Sequence, residues 1–454
     1  MKQAKEIIIL NSSLSIKKYS IESLGCAKNQ VDAETMIASL PGEAWEYTTN
    51  HEESDLILVN TCGFITSAKE ESIDTFLSLR EEYPDTKIMI TGCLAERYKD
   101  ELKDSLPEVD GVFGNKAPSL ISEVVDSVMS GDKPVIIPTE EVAPPQRDFF
   151  LNFDKAVYVK VSEGCNHRCS FCAIPLIRGS LKSRTLDSVL TEIQALLEKG
   201  VSEINLIAQD LASFGVDLVG HSLLPDLLKE ISKWEGQFWI RMLYIHPDTF
   251  IDELLSICQN DERILPYFDL PFQHCAVPVL RAMGRRGDSE SYLALINKIR
   301  TALPHGVIRS TFLVGFPKED DKSFEQLLEF QQKAQIDWLG VFPYSREEGT
   351  AAYRMQNNMT HKFMTRRAEK RKAQLENAQI EITVERVKRF IGTEMNIIIE
   401  EEVPEEGLYL GRGPIHAPEV DGLVVVHGKD LAIGQFYRCS IIKSNGLDLE
   451  AKLI

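Results

Sequence analysis

The sequence predicts an α/β chain in three parts. These are an amino-terminal parallel sheet of βαβ units, a central partial (β/α)6 barrel, and a small five-stranded β-barrel of OB-like type at the carboxyl end. Three observations carry this reading. Short apolar runs alternate with helix-compatible stretches in the first third, and three of those runs end in a cysteine. The alternation returns with longer helices over residues 156–342. From residue 391 it gives way to five short strands punctuated by Gly and Pro.

Size and charge set the outer limits. A chain of 454 residues suggests several domains, and 43% hydrophobic with 26% charged residues is ordinary for a globular protein. No run approaches the roughly 18 apolar residues that a membrane helix needs. The apolar run 7–10 is too short for a signal-peptide core, so a cytoplasmic location is expected. The first sixteen residues read as an extra strand or a loose arm. The net charge of −19 is a poor footprint for general nucleic-acid binding. It suits attraction of a basic protein, and equally it suits simple solubility. Nine cysteines in such a chain point to metal or catalytic use rather than a disulfide framework. Cys258, Cys275 and Cys439 read as small buried hydrophobes.

In the first part, residues 17–133, strand-like runs end at Cys26, Cys62 and Cys93. Helical stretches follow at 29–40, 67–82 and 95–105. Parallel sheets place their ligands beyond the carboxyl ends of the strands, which is where all three cysteines fall. Three thiolates at one rim could hold an iron–sulfur cluster with one open iron; three unrelated buried cysteines are the other possibility. Residues 134–150 carry Pro134, Pro138, Pro144 and Pro145 and read as a linker.

The second part, 151–386, holds six strand-like runs at 156–161, 203–208, 238–244, 267–270, 308–314 and 338–342. Helical patterns lie between them at 187–199, 223–234, 250–260, 289–302 and 321–334. Catalytic residues of such barrels collect at the strand carboxyl ends. There, after the first strand, stands EGCNHRCSFC, with Cys165, Cys169 and Cys172 spaced C-x3-C-x2-C. Three thiolates this close can hold three irons of a cubane and leave the fourth open to a small molecule. A zinc site with His167 as fourth ligand is the alternative. Zinc spacings usually come as two separated pairs, and His167 between the first two cysteines would strain a tetrahedron. Other rim candidates are Gln209, Asp210, Arg241, Tyr244, Gln273, His274 and Gly315 to Glu319, for each of which a structural role is as open as a binding one. Arg285 and Arg286 read as a solvated basic loop.

The third part, 387–454, follows a charged helical stretch, 361–390, with nine Lys or Arg and four Glu. A solvated helix is the expectation there, and RNA contact the sharper alternative. Strands are expected at 393–400, 408–412, 423–426, 435–443 and 448–453. Eleven acids and five bases leave residues 391–454 at −6, which disfavours phosphate and favours a basic protein.

The C-x3-C-x2-C spacing is the signature of radical S-adenosylmethionine (SAM) enzymes, and the run EGCNHRCSFCAIPLIRGSLKSR, 163–184, resembles the methylthiotransferases among them. SLGCAKNQVDAE (23–34), NTCGF (60–64) and TGCLAER (91–97) resemble the amino-terminal domain of the same family. Ser170, Phe171, Ala173, Ile174 and Leu176 favour the branch that modifies a ribosomal protein over the one that modifies tRNA. The resemblance runs from about Lys18 to the end. It implies a [4Fe–4S] cluster on Cys165, Cys169 and Cys172 whose open iron takes SAM, an auxiliary [4Fe–4S] cluster on Cys26, Cys62 and Cys93, and a terminal TRAM domain. SAM needs donors for its carboxylate and room for adenine, and Gln209, Arg241 and Gly315 are the candidates. The implied activity is methylthiolation of an aspartate Cβ in ribosomal protein uS12. A low-potential donor such as ferredoxin or flavodoxin, no membrane, and a monomer are expected with it. A tRNA adenosine as substrate, or a non-catalytic ribosome- or RNA-binding iron–sulfur protein, are the alternatives.

Overall fold

Three adjacent parallel strands, each running into a cysteine, form the middle of the amino-terminal sheet. The computed structural model describes residues 16–40, 42–139, 142 and 144–454. Nearly all of the stretch expected as an arm or extra strand, and residues 140, 141 and 143 of the expected linker, lie outside the described residues. The chain divides into two compact units. One comprises the described residues up to Gly63 with Ser67–Phe149; the other comprises Phe64–Thr66 with Phe150–Ile454. Residues 151–386 and 387–454, expected as separate domains, lie together in the second unit.

In the first unit the strands are β1 (Lys17–Ser23), β2 (Trp45–Tyr47), β3 (Leu56–Thr61), β4 (Lys87–Gly92), β5 (Gly111–Phe113) and β6 (Val135–Ile136). They pair in the order β2-β1-β3-β4-β5-β6, all parallel. Every residue of β3 is buried, as a central strand covered on both faces requires. Strands β2, β5 and β6 have two or three residues each, too few to show a period, and the sequence does not reveal them. Strand β6 lies inside the stretch expected as a linker. Pro134 just before it is tolerated because the carbonyls of Pro134 and Ile136 accept from Val112 and Gly114, so the N–H that proline lacks is not needed. Arg147, farther along the same stretch, is buried in an ion pair with Glu34. The helix expected at 95–105 is broken at Tyr98 (φ −130°, ψ 36°) into Cys93–Arg97 and Lys99–Ser105.

In the second unit the strands are β7 (Ala156–Lys160), β8 (Ser162–Glu163), β9 (Lys182–Ser183), β10 (Glu203–Ile207), β11 (Trp239–Met242), β12 (Ile264–Asp269), β13 (Val307–Val314) and β14 (Trp338–Pro343). Six of them form the expected open, all-parallel sheet, β14-β13-β12-β11-β10-β7. Between them run the helices Leu186–Glu198, Leu224–Ser232, Glu253–Asn260, Ser289–Ala302 and Asp321–Ala334. Thr185, Asp288 and Asp320 cap three of these by accepting from backbone N–H groups in the first turn. Strands β15 (Glu394–Val403), β16 (Leu408–Arg412), β17 (Val424–His427), β18 (Phe436–Asn445) and β19 (Asp448–Leu453) close into a small barrel, β15-β16-β17-β19-β18. No single helix among the described residues is long and apolar enough to cross a membrane.

The small barrel packs on the amino ends of the large sheet's strands. Trp239, first in β11, lies 4.7 Å from Phe436, and Trp338 Nε1, first in β14, donates to the Ile415 carbonyl. Glu203, first in β10, is the electrostatic centre of this junction. It pairs with Arg241 and Arg412, each at 2.7 Å, and Arg412 also reaches Glu400. Burial pushes the Glu203 carboxyl up, but the guanidiniums of Arg412 and Arg241 outweigh it and hold its pKa below the usual range. Removing one member of such a group leaves buried charge uncompensated. Glu203→Gln is therefore expected to destabilise this unit by about 3–5 kcal/mol, read as a lowered urea midpoint.

Candidate functional site

The first cysteine trio is assembled by strand adjacency. Cys26, Cys62 and Cys93 follow β1, β3 and β4, which are neighbours in the sheet. Two glycines let these strand ends crowd together. Gly25 (φ +94°) has its missing Cβ position 3.0 Å from Cys62 Cβ, and that of Gly63 is 2.7 Å from the Cys93 carbonyl oxygen. A side chain at either place would push the cysteine loops apart. Cys62 N–H donates to Ser72 Oγ, Cys93 Sγ–H donates to Asn29 Oδ1, and Asn115 Nδ2 donates to Cys93 Sγ. Cys26 is exposed, Cys62 half-buried and Cys93 buried, so one edge of the trio is open.

The second trio stands at the carboxyl rim of the large sheet. The hairpin of β8 and β9 frames the loop, and Cys165 N–H donates to the Gly179 carbonyl. Arg168 takes a left-handed φ of +54°, and Cys172 N–H then bonds back to the Cys169 carbonyl. Two other segments grip the loop. Ser170 N–H and Oγ donate to the Met283 and Ala282 carbonyls, and Ala352 N–H donates to the Ser170 carbonyl. Burial pushes all three thiols up, Cys172 to about 12, and Cys165 and Cys169 add their own charge at Cys172. Ligation of metal must therefore displace thiol protons here.

Arg285 opposes those shifts at all three cysteines. The expected solvated loop is real for Arg286, which is exposed, but Arg285 is buried, with Nη2 donating to the Pro271 carbonyl at 2.7 Å. Nothing local in Met-Gly-Arg-Arg-Gly distinguishes the two arginines. A fixed cation beside thiolates stabilises their charged form. Arg285→Gln is expected to weaken cluster retention by about 10–100-fold, as loss of an outer partner does, while Arg286→Gln leaves it unchanged. Iron content after gel filtration in the presence of chelator reads this out.

The zinc alternative loses its fourth ligand. His167 Nε2 lies 2.6 Å from Asp210 Oδ2 and its ring stacks on His246 at 4.0 Å. Asp210 also accepts from the backbone N–H groups of His246 and Ala212 and from the Ser213 and Thr249 hydroxyls. Among the described residues no three His, Cys, Asp or Glu side chains are gathered tightly enough for one metal ion. A cubane puts each thiolate on a different iron, so its ligands stand farther apart than those of a single ion.

The three SAM candidates separate. Gln209 is at the rim, where its Nε2 donates to Glu163 Oε2 at 3.4 Å while its buried Oε1 has no partner among the described residues. Gly315 follows β13 with φ +75°; its N–H donates to Glu319 Oε2, and its missing Cβ position meets Ala368 of the helix Asn358–Lys388. Arg241 points the other way. Its guanidinium is fully buried at the strand amino ends, bonded to Glu203 and the Pro414 carbonyl and stacked on Tyr267. Of the remaining rim candidates, Gln273 N–H donates to the Thr311 carbonyl, His274 is buried with Nδ1 accepting from Ala276 N–H, and Tyr244 takes a left-handed φ of +62°.

Comparison with known proteins matches the three parts in turn. Residues 18–114 match an uncharacterized protein family, UPF0004; residues 159–330 match the radical SAM superfamily; and residues 391–454 match the TRAM domain. In solved structures the fold is similar to the radical S-adenosylmethionine methyltransferase TsrM from Kitasatospora setae, with cobalamin and [4Fe-4S] cluster bound. That likeness has a TM-score of 0.55 at 12% identity over 74% of each chain. It is also similar to the cobalamin-dependent S-adenosylmethionine radical enzyme OxsB, with a TM-score of 0.52 at 14% identity over 78% of this chain and 56% of that one. Among curated sequences, the ribosomal protein uS12 methylthiotransferase RimO of Treponema denticola is 43% identical over 94% of this chain and 98% of its own. The RimO proteins of Carboxydothermus hydrogenoformans and Geobacter sulfurreducens are 38% and 39% identical, each over 96% of this chain and 99% of their own. With identity at that level along almost the whole length of both partners, the chain belongs to the RimO family of radical SAM methylthiotransferases.

Proposed function

We propose that the chain adds a methylthio group to Cβ of an aspartate in ribosomal protein uS12, with Cys165, Cys169 and Cys172 holding one [4Fe–4S] cluster and Cys26, Cys62 and Cys93 the other. The observation that carries this reading is the pair of cysteine trios, each set at the carboxyl edge of a parallel sheet. When bound, the clusters and SAM supply reductive sulfonium cleavage, hydrogen-atom removal from an unactivated carbon, and the sulfur that is inserted. The chain's residues position and shield that chemistry. The backbone bonds from Ser170 to Met283 and from Ala352 to Ser170 hold the three-thiol loop in place. Arg285 offsets the charge of the thiolates. Lys160 and Arg178 pair with Glu163 and fix it where Gln209 can donate to it. We assign the free Gln209 Oε1 to an N–H donor of SAM and Gly315 to the floor of the same pocket, and give Arg241 a structural role at the small barrel.

The small barrel exposes Glu401, Glu402, Glu405 and Glu406. Because it packs on the amino ends of the strands, its charge acts on a basic ribosomal protein by long-range attraction, which salt weakens. Electrons come from a low-potential carrier. The test is anaerobic reconstitution, followed by incubation with small ribosomal subunits and SAM. A uS12 mass higher by one methylthio group less one hydrogen, on an aspartate, is the expected result; unmodified uS12 with enzyme that cleaves SAM would reject the substrate assignment.

A further inference from the structure

Some cations of the helix Asn358–Lys388 are already paired with acids. Arg371 turns to Glu319 and Asp321, Arg367 to Asp321, and Lys372 lies 3.8 Å from Glu376. Lys362, Arg366 and Lys370 differ. They recur every fourth residue on one exposed face, about 6 Å apart, and none has an acidic partner among the described residues. Glu369 is the one acid in residues 358–372. Large apolar side chains are bare beside this row: Met359 is 81% exposed, Phe363 69% and Met355 41%. Single exposed apolar side chains need no explanation, but a set of them rimmed by one sign of charge marks a contact surface.

The position of this face matters as much as its chemistry. The 3-10 helix Ala351–Met355 leads into it, and Ala352 N–H bonds to the carbonyl of Ser170, the residue that follows Cys169. Leu176, 48% exposed on the segment just after Cys172, lies against Gly349. The surface is therefore tied, through this 3-10 helix, to the loop that bears the second trio. It is also short, for the exposed row continues as Ala373, Gln374 and Asn377, all uncharged.

We infer that this face is the docking surface for an acidic one-electron carrier protein, an inference that rests on the radical SAM reading above. That chemistry needs one electron delivered at the Cys165–Cys172 loop. At docking the carrier is oxidised by one electron and the site is reduced by one, with no bond made or broken. A chain of net charge −19 repels an acidic carrier at large, so approach needs a local cationic patch, and the Lys362, Arg366, Lys370 row supplies it. Electron-transfer encounters are small and weak, with an apolar centre and a charged rim, which matches a patch two to three turns long around Phe363. An RNA strand would call for a longer cationic track than this one.

The test uses the reconstituted full chain with K362E/R366E/K370E and, separately, Phe363→Ala. With flavodoxin as reductant, the carrier concentration giving half-maximal 5′-deoxyadenosine formation is expected to rise about tenfold or more in the charge-reversed enzyme. Binding to immobilised flavodoxin should weaken in parallel, and both effects should shrink at high salt. With dithionite as reductant both variants should match the parent. An unchanged flavodoxin dependence overturns the inference. So does a loss that persists with dithionite, which would place the face in the fold or the SAM site. A dithionite-driven loss confined to modification of ribosomal subunits would give the surface to RNA instead. A parent enzyme that fails to cleave SAM with dithionite would reject the radical SAM reading itself.

Discussion

Cys169→Ala is expected to reduce SAM cleavage to background and to halve the iron and sulfide content of the reconstituted protein. The loop should survive the change. Its shape rests on backbone bonds, including Cys172 N–H to the Cys169 carbonyl and Ser170 N–H to the Met283 carbonyl, and alanine keeps all of them. What disappears is one thiolate of three, and the histidine of the loop, His167, is already held by Asp210. Two thiolates leave two irons without protein ligands, and such a cluster is not retained. Serine should not rescue, because its hydroxyl stays protonated where even the thiols are pushed upward by burial. The measurement is 5′-deoxyadenosine formed from SAM with dithionite, together with iron and sulfide analysis. Cleavage persisting at the parental rate would end the assignment of this loop.

Cys62→Ala is expected to separate the two halves of the reaction. SAM cleavage should continue at a rate close to the parent's, because Cys62 belongs to the other sheet and the other unit. Methylthiolation of uS12 should fall below detection, and iron content should again halve. Cys93 is more deeply buried than Cys62, and its sulfur bonds with Asn29 and Asn115, so its loss would also disturb the packing of those side chains. Mass spectrometry of uS12 alongside the 5′-deoxyadenosine assay decides the matter. Loss of both activities together would mean that the two trios do not serve separate steps.

The strand–helix alternation was legible because its signal is local. Strands such as β3 and β4 bury a largely apolar run, and helices show their period within their own residues, so 289–302 and 321–334 were readable to the residue. Strands β2, β5 and β6 were not, because two or three residues carry no period and only their neighbours make them strands. Pro134 pointed to a linker, and it is a strand entrance only because its carbonyl, not its missing N–H, faces the sheet. Arg285 and Arg286 are adjacent and chemically identical; one lies beside thiols and the other in water. Arg241 looked like a rim residue from its place in a strand, yet its charge is neutralised at the opposite end by a glutamate 38 positions away.

Six cysteines, their spacing and the strand ends they occupy were set by covalent order, since the distance between residues along a strand or a tight loop follows from backbone geometry alone. Which arginine shields the thiols, which one plugs the small barrel, and which cations of the long helix stay unpaired were settled by folding. Coulomb energy depends on separation in space, and that separation exists only once the strands have been laid side by side and the last barrel has closed against them.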